Sequence, residues 1–124
     1  MARILVIDDD ELIRDTLRMV LMDAGHQVHL AEHGRFGLEV LDQHPIDLVL
    51  CDLFMPDMEG FETMASIRQR YPELKIIVMS GGARGIDQSH YLEDAEILGA
   101  DATLSKPFRN RDLTGLIDQL IGPG

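Results

Sequence analysis

Acidic side chains follow two short apolar runs of the chain. Asp8 and Asp9 come directly after the run Ile4–Ile7, and Asp52 follows the run Leu48–Cys51. Two carboxylates about 4 Å apart repel each other by about 4 kcal/mol at an effective dielectric near 20, so acids that meet need raised pKa values or a cation. A site made of oxygen ligands suits Mg²⁺, which keeps several waters and binds phosphate oxygens. The three acids therefore predict a magnesium site, provided that the fold brings them together.

A hydroxyl group and an ammonium group follow two later apolar runs. Ser80 comes directly after Ile76–Met79, and Lys106 comes shortly after Ala102–Leu104. A carboxylate beside Mg²⁺ can attack phosphorus and become an acyl phosphate, whose oxygens an ammonium and a hydroxyl can bind. Each of these residues alone is typical of a cap, a turn or a loop. Their joint placement at four strand ends favours phosphoryl transfer to an aspartate.

Five strand-like runs alternate with segments of helical spacing, and these elements must position the polar groups. The predicted strands are Ile4–Ile7, Val28–Ala31, Leu48–Cys51, Ile76–Met79 and Ala102–Leu104. Apolar stripes predict helices around residues 13–24, 36–41, 61–67 and 113–121, and a weakly patterned helix near 87–98. This alternation predicts an α/β fold, a doubly wound parallel sheet with right-handed crossovers and helices on both faces.

The predicted strand order is 2-1-3-4-5, which makes the first and third strands neighbours. Ligands of such sheets bind outside the carboxyl ends of the strands. We therefore expect Asp8, Asp9 and Asp52 to converge at one edge of the sheet. Asp10 is expected to cap the first helix, because acids are favoured at a helix N-terminus.

Composition narrows the classes of protein further. The chain has 124 residues, one cysteine and a formal net charge of −11, from 22 acidic and 11 basic residues. This length predicts one domain, and the lone Cys51 excludes an internal disulfide and a multi-thiolate metal site. The acidity argues against direct nucleic-acid binding, which needs a basic surface. No apolar run approaches the roughly 20 residues of a membrane span, and no signal peptide precedes the first strand, so we expect a cytoplasmic location.

The motifs together resemble those of the receiver domain of two-component response regulators. The most specific segment runs from Asp52 to Gly60 and reads DLFMPDMEG, and the opening ILVIDDD, Ser80-Gly81 and Lys106-Pro107-Phe108 complete the set in order. The resemblance covers essentially the whole chain. It implies a (βα)5 flavodoxin-like, CheY-like fold, a single receiver domain over residues 1–124 and a stand-alone regulator.

The resemblance also implies a chemistry. Asp52 would take a phosphoryl group from a phosphohistidine of a histidine kinase or a histidine phosphotransfer protein. Asp8, Asp9, Asp52 and the backbone carbonyl of Phe54 would bind Mg²⁺, with Mn²⁺ as an alternative. The domain would phosphorylate itself in a Mg²⁺-dependent reaction and lose the group slowly, without sustained turnover as an enzyme.

The remaining implied roles concern the switch. Ser80 and Lys106 would bind the phosphoryl group, and the bond from Lys106 to Pro107 would be cis. The change would reach the face formed by the fourth predicted helix, the fifth strand and the fifth helix, where a downstream protein binds. The resemblance leaves a homodimer open.

Two features depart from the family pattern. Thr103 stands where the family commonly has Tyr or Phe, so a pseudo-receiver that binds partners without phosphorylation stays open. The segment between Ser80 and Lys106 is a few residues longer than is common. A phosphohydrolase of the haloacid-dehalogenase type would need a second aspartate where Phe54 stands, and a nucleotide-binding module would want glycines after the first strand. We expect Cys51 in the core and all five histidines at the surface.

Overall fold

The computed structural model describes residues 1–53, 59–81 and 99–122, which form five strands and four helices. In chain order the elements are β1 Arg3–Ile7, α1 Glu11–Asp23, β2 Gln27–Ala31, α2 Gly34–Gln43, β3 Leu48–Asp52, α3 Glu59–Arg70, β4 Lys75–Gly81, β5 Ala102–Lys106 and α4 Asn110–Ile121. The helix α4 is the last of those predicted from the sequence. The helix predicted near 87–98, and Phe54, lie outside the described residues.

The sheet has the predicted order, β2-β1-β3-β4-β5, with every neighbouring pair parallel. The strand β1 lies between β2 and β3, because Ile4 pairs with Val28 of β2 on one side and with Leu48 of β3 on the other. All five strands point the same way, so their carboxyl ends meet at one edge. The expected α/β fold is confirmed.

Helices cover both faces of the sheet, and this explains why the central strands are apolar throughout. Leu5 and Ile7 of β1 pack on the side of α2 and α3, while Ile4 and Val6 pack on the side of α1 and α4. All four side chains are fully buried. The sheet is therefore held from both sides, which makes it a firm support for groups at its edge.

The strands extend further than the apolar runs alone predict. Asp52 is the last residue of β3, Lys106 is the last of β5, and Ser80 lies inside β4. The sequence interpretation had placed these residues just after the strands. Because ladder hydrogen bonds hold a strand end, the three side chains start from backbone that is more precisely fixed than a loop.

One arginine attaches the start of β5 to the rest of the domain. Arg68 of α3 donates to the carbonyl oxygen of Gly99 from Nε at 3.1 Å and from Nη2 at 2.6 Å, and it also bonds Oδ2 of Asp101 at 2.9 Å. The same oxygen of Asp101 accepts the amide of Ile76 at 2.8 Å. These contacts set where β5 begins and hence where its last residue, Lys106, ends.

The expectation of surface histidines is wrong for His26. Only 8% of this residue is exposed, and its Nδ1 accepts a hydrogen bond from the amide of Ala2 at 3.0 Å. The imidazole ring of His26 supplies a partner for a backbone amide that lies just before β1, which is why the ring is buried.

Cys51 is buried as predicted. Among the helices of the described ranges, none combines the length and the apolar character needed to cross a bilayer.

A paired arginine and carboxylate at the opposite end of the sheet predict an acid sensitivity. The side chain of Arg3 donates to Asp47 from Nε at 3.1 Å and from Nη2 at 3.0 Å. The hydrogen bond from Arg3 is the main cause that lowers the pKa of Asp47. A carboxyl whose pKa is lower in the folded state stabilises above its unfolded pKa, and this contribution is lost as the pH falls through the folded value.

We therefore expect Asp47→Asn to reduce stability at neutral pH and to make stability fall less steeply below about pH 4. Urea unfolding across this range measures the slope. The matched control is Asp118→Asn, at an exposed carboxylate on α4. Equal slopes for the native chain and Asp47→Asn would contradict the expectation.

Candidate functional site

Three carboxylates converge at the carboxyl edge of the sheet. Asp8, Asp9 and Asp52 each offer one oxygen, and these oxygens lie within 4.8 Å of one another. Asp8 and Asp52 are buried, whereas Asp9 is exposed. The cluster therefore has a buried floor and opens to solvent beside Asp9. Repulsion between charges at this spacing amounts to about 4 kcal/mol per pair at an effective dielectric near 20, which a cation would relieve.

Asp8 is held on all its polar atoms. Its amide donates to the carbonyl of Ala31 at 3.1 Å, and its Oδ1 accepts the amide of Asp10 at 2.9 Å. Its Oδ2 accepts Nζ of Lys106 at 2.8 Å, and its carbonyl accepts Nη1 of Arg14 at 2.7 Å. A charged group without exposure needs such partners, because burial otherwise penalises the charge.

Lys106 connects the last strand to the first and third. Its Nζ lies 2.8 Å from Oδ2 of Asp8 and 3.8 Å from Oδ2 of Asp52. Its side chain is 16% exposed, so the ammonium lies among the acids rather than in solvent. The peptide bond from Lys106 to Pro107 is cis, as the resemblance implied.

Ser80 lies on the strand beside Asp52. The Cα partner of Asp52 is Met79, and Ser80 is the next residue of β4. Ser80 is 2% exposed. Thr103, at the position where an aromatic residue is common in the family, pairs with Val78 and is half-buried.

Asp10 is the N-cap of α1, as expected. Its Oδ1 accepts the amides of Leu12 at 2.9 Å and of Ile13 at 3.5 Å. A cap of this kind satisfies amides that the first turn of a helix leaves free. Asp10, two residues after the buried Asp8, thus fixes where α1 begins.

Gly60 is a site residue whose role the sequence motif did not reveal. It lies in the first turn of α3, where a Cβ would fall 2.4 Å from the carbonyl oxygen of Asp52 and 2.5 Å from Cα of Leu53. Real Cβ atoms do not approach backbone so closely. The helix can rest on the backbone of Asp52 only because Gly60 has no side chain. A glycine at a predicted helix start, where it is a poor helix former, is the signal that could have indicated this contact.

The donor set fits Mg²⁺. The converging groups are carboxylate oxygens, which are hard ligands, and one of them reaches solvent, so bound water can complete the coordination. The fourth ligand of the sequence prediction, the carbonyl of Phe54, lies outside the described residues. The arrangement provides carboxylates for a cation and an ammonium for an anion within one small volume.

The family of the chain is decided by comparison with known proteins. Residues 4–118 match the family model described as the response regulator receiver domain. The chain is a receiver domain of the two-component response regulators. This receiver domain is 34% identical to the transcriptional regulatory protein CpxR of Escherichia coli, over 98% of the chain and 50% of CpxR. It is 35% identical to AfsQ1 of Streptomyces coelicolor, over 100% of the chain and 53% of AfsQ1. It therefore spans about half the length of these relatives.

Solved structures show the same fold. A CheY-like receiver domain from Methanospirillum hungatei is 33% identical, with a TM-score of 0.81 over 96% of this chain and 92% of that one. The response regulator TrrA of Thermotoga maritima, solved in complex with Mg²⁺-BeF, is 32% identical, with a TM-score of 0.84 over 98% of this chain and 100% of that one. The receiver domain thus has the CheY-like arrangement that the motifs implied.

Proposed function

We propose that Asp52 of this receiver domain accepts a phosphoryl group from a phosphohistidine of a histidine kinase or a histidine phosphotransfer protein. The observation that supports it is the convergence of Asp8, Asp9 and Asp52 within 4.8 Å, with Nζ of Lys106 between Asp8 and Asp52. In the reaction, a carboxylate oxygen of Asp52 attacks phosphorus and the bond from phosphorus to the donor imidazole breaks. The imidazole keeps the electron pair and takes up a proton.

The other residues of the site would bind the metal ion and the oxygens of the phosphoryl group. Asp8, Asp9, Asp52 and the carbonyl of Phe54 would hold Mg²⁺ or Mn²⁺, which when bound neutralises charge on the transferring phosphoryl oxygens. Lys106 is positioned to bind a phosphoryl oxygen on Asp52, because its ammonium already lies 3.8 Å from that carboxylate. Ser80 would donate its hydroxyl to another oxygen of the same group.

Phosphorylation would act as a switch through Lys106 and Ser80. The new group adds about −1.5 to −2 charge beside an ammonium that is now paired with Asp8 at 2.8 Å. The ammonium of Lys106 would then bind the phosphoryl group as well as Asp8. The ends of β4 and β5, which carry Ser80 and Lys106, would shift toward that group. This shifts an existing equilibrium of the face around β5 and α4, to which a downstream protein binds.

The proposed function also indicates which molecules the domain contacts and where in the cell it works. CpxR and AfsQ1 are named transcriptional regulatory proteins, so a link to nucleic acid is open for the system to which this domain belongs. The domain itself carries a net charge of −11, and we propose that its own contacts are with proteins. We further propose that residues 1–124 form one domain and work in the cytoplasm. The structure of TrrA was solved in complex with Mg²⁺-BeF, and this supports magnesium as the metal.

Incubation with Mg²⁺ and a small acyl phosphate tests the proposal. We expect one phosphoryl group per chain by intact-mass spectrometry, and none after chelation of Mg²⁺ or in Asp52→Asn. Asp118→Asn, with the same loss of charge at an exposed site on α4, should behave as the native chain. Full phosphorylation of Asp52→Asn would refute the proposal. Sustained turnover of phosphomonoesters would favour the phosphohydrolase, and Mg²⁺ binding without any phosphorylation would favour the pseudo-receiver.

A further inference from the structure

We propose that Arg14 is a positioning residue for the metal-binding acids, and that it acts by holding the peptide group between Asp8 and Asp9. The inference rests on the proposed function, because it assigns Arg14 a part in the Mg²⁺ site. Arg14 was not among the site residues that the motifs indicated. Its contribution is indirect, since the atom that it binds is a backbone oxygen and not a carboxylate oxygen of the cluster.

The contact is short and specific. Nη1 of Arg14 donates to the carbonyl oxygen of Asp8 at 2.7 Å. That oxygen belongs to the planar peptide that joins Asp8 to Asp9, so its orientation determines the direction in which the backbone enters Asp9. The amide of Asp10 is fixed in turn by Oδ1 of Asp8 at 2.9 Å. Asp9 therefore lies between two anchored peptide groups, although its own side chain is exposed.

Helix geometry explains how Arg14 reaches this peptide. Its amide donates to the carbonyl of Asp10 at 3.0 Å, so Arg14 lies one turn into α1 from the cap. Side chains on an α-helix tilt toward the helix N-terminus, which here is the end that carries the acids. The cap at Asp10 sets the rotation of α1, and this rotation directs the guanidinium of Arg14 at the end of β1.

Charge and position predict opposite effects of removing Arg14. A guanidinium near the acids repels a bound cation, so by charge alone its loss should strengthen Mg²⁺ binding. If Arg14 holds the peptide between Asp8 and Asp9, its loss should weaken Mg²⁺ binding, because Asp9 then samples several directions. Outer partners that orient metal ligands typically contribute about tenfold to a hundredfold in affinity.

Titration calorimetry of Mg²⁺ on the full chain separates the two effects. We expect Arg14→Met to raise the Kd for Mg²⁺ by about tenfold. Arg14→Lys keeps a donor and should show a smaller rise. The control Arg18→Met removes the same charge from an exposed site one turn further along α1, and it should leave the Kd unchanged or slightly lower. Thermal unfolding without Mg²⁺ establishes that each variant is folded.

The results distinguish this inference from the function on which it rests. A native chain that binds Mg²⁺, with Arg14→Met binding equally or more tightly, would refute the positioning role alone. A rise in Kd for Arg14→Lys as large as for Arg14→Met would also refute it, because the donor would then not matter. If Arg14→Met does not fold, Arg14→Lys decides: a raised Kd supports the role and a native Kd refutes it. A native chain that does not bind Mg²⁺ would refute the proposed function as well.

Discussion

Replacing Lys106 by methionine is expected to lower the free energy of unfolding by about 3 kcal/mol. The ammonium pairs at 2.8 Å with Asp8, a carboxylate with no exposed surface. Removal of one partner of a buried ion pair leaves the other charge without compensation, and such losses typically amount to about 3–5 kcal/mol. We expect a loss at the lower limit of this range, because the amide of Asp10 still donates a hydrogen bond to Asp8.

The same variant should lose phosphorylation. Lys106 is the ammonium nearest to Asp52, at 3.8 Å, and the loss of one preorganised donor to a developing anion typically slows a reaction by about 10² to 10³. Added Mg²⁺ should raise the unfolding midpoint of Lys106→Met more than that of the native chain, because it brings positive charge back to the same carboxylates.

Urea unfolding with and without Mg²⁺, together with the rate of phosphorylation by an acyl phosphate, measures both effects. The control is Lys75→Met, at the other lysine of the chain and at the opposite end of the sheet. If Lys106→Met and Lys75→Met lose the same stability and both are phosphorylated at the native rate, the ammonium does not serve the acidic site.

Substitution of Gly60 by alanine is expected to reduce both stability and phosphorylation. The new Cβ would lie 2.4 Å from the carbonyl oxygen of Asp52 and 2.5 Å from the carbonyl oxygen of Leu53, and both are backbone atoms. Leu53 is buried, and its amide donates to the carbonyl of Met79 at 2.9 Å, so this segment cannot move freely. Overpacking of this kind costs about 1–3 kcal/mol.

The sign of this effect is what makes it informative. By helix propensity alone, alanine is better than glycine by about 1 kcal/mol inside a helix. Gly115 on α4 offers the matched control, because a Cβ there meets nothing within 4 Å. We expect Gly115→Ala to stabilise and Gly60→Ala to destabilise in urea unfolding, with slower phosphorylation only in the latter. Stabilisation by both substitutions would show that α3 is not in close contact with the backbone of Asp52.

The fold and the meeting of the acids could be predicted because they follow from general rules. Apolar runs such as Ile4–Ile7 predict strands covered on both faces, and the observed sheet has two helices on each side among its described elements. The order of the strands then places the end of β1 beside the end of β3. The cap at Asp10 could be predicted too, since it depends only on local sequence.

Contacts across the fold could not be read from residue patterns. The bond from Arg14 to the carbonyl of Asp8 depends on the rotation of α1, and the contact of Gly60 depends on the distance between α3 and β3. His26 was misplaced because its burial rests on a partner that lies 24 residues away, the amide of Ala2. The first two contacts depend on how a helix packs against a strand, and the third depends on a distant partner, so side-chain type alone specifies none of them.

We propose that the effect of phosphorylation is transmitted by the backbone of β4 and β5 rather than by an aromatic side chain. Thr103 is half-buried on β5 and pairs with Val78, two residues before Ser80 on β4. Ser80 itself pairs with Ser105, the neighbour of Lys106. Movement of Ser80 and Lys106 toward a phosphoryl group would therefore act on two strands that are already hydrogen-bonded to each other.

Locating the phosphoryl group on the chain tests the central claim most directly. After treatment with Mg²⁺ and an acyl phosphate, borohydride reduces an aspartyl phosphate to a hydroxymethyl group, which peptide mapping by mass spectrometry identifies. We predict reduction at position 52 alone, and none in a sample prepared without Mg²⁺. A phosphoryl group found on a histidine or on any aspartate other than Asp52 would contradict the account.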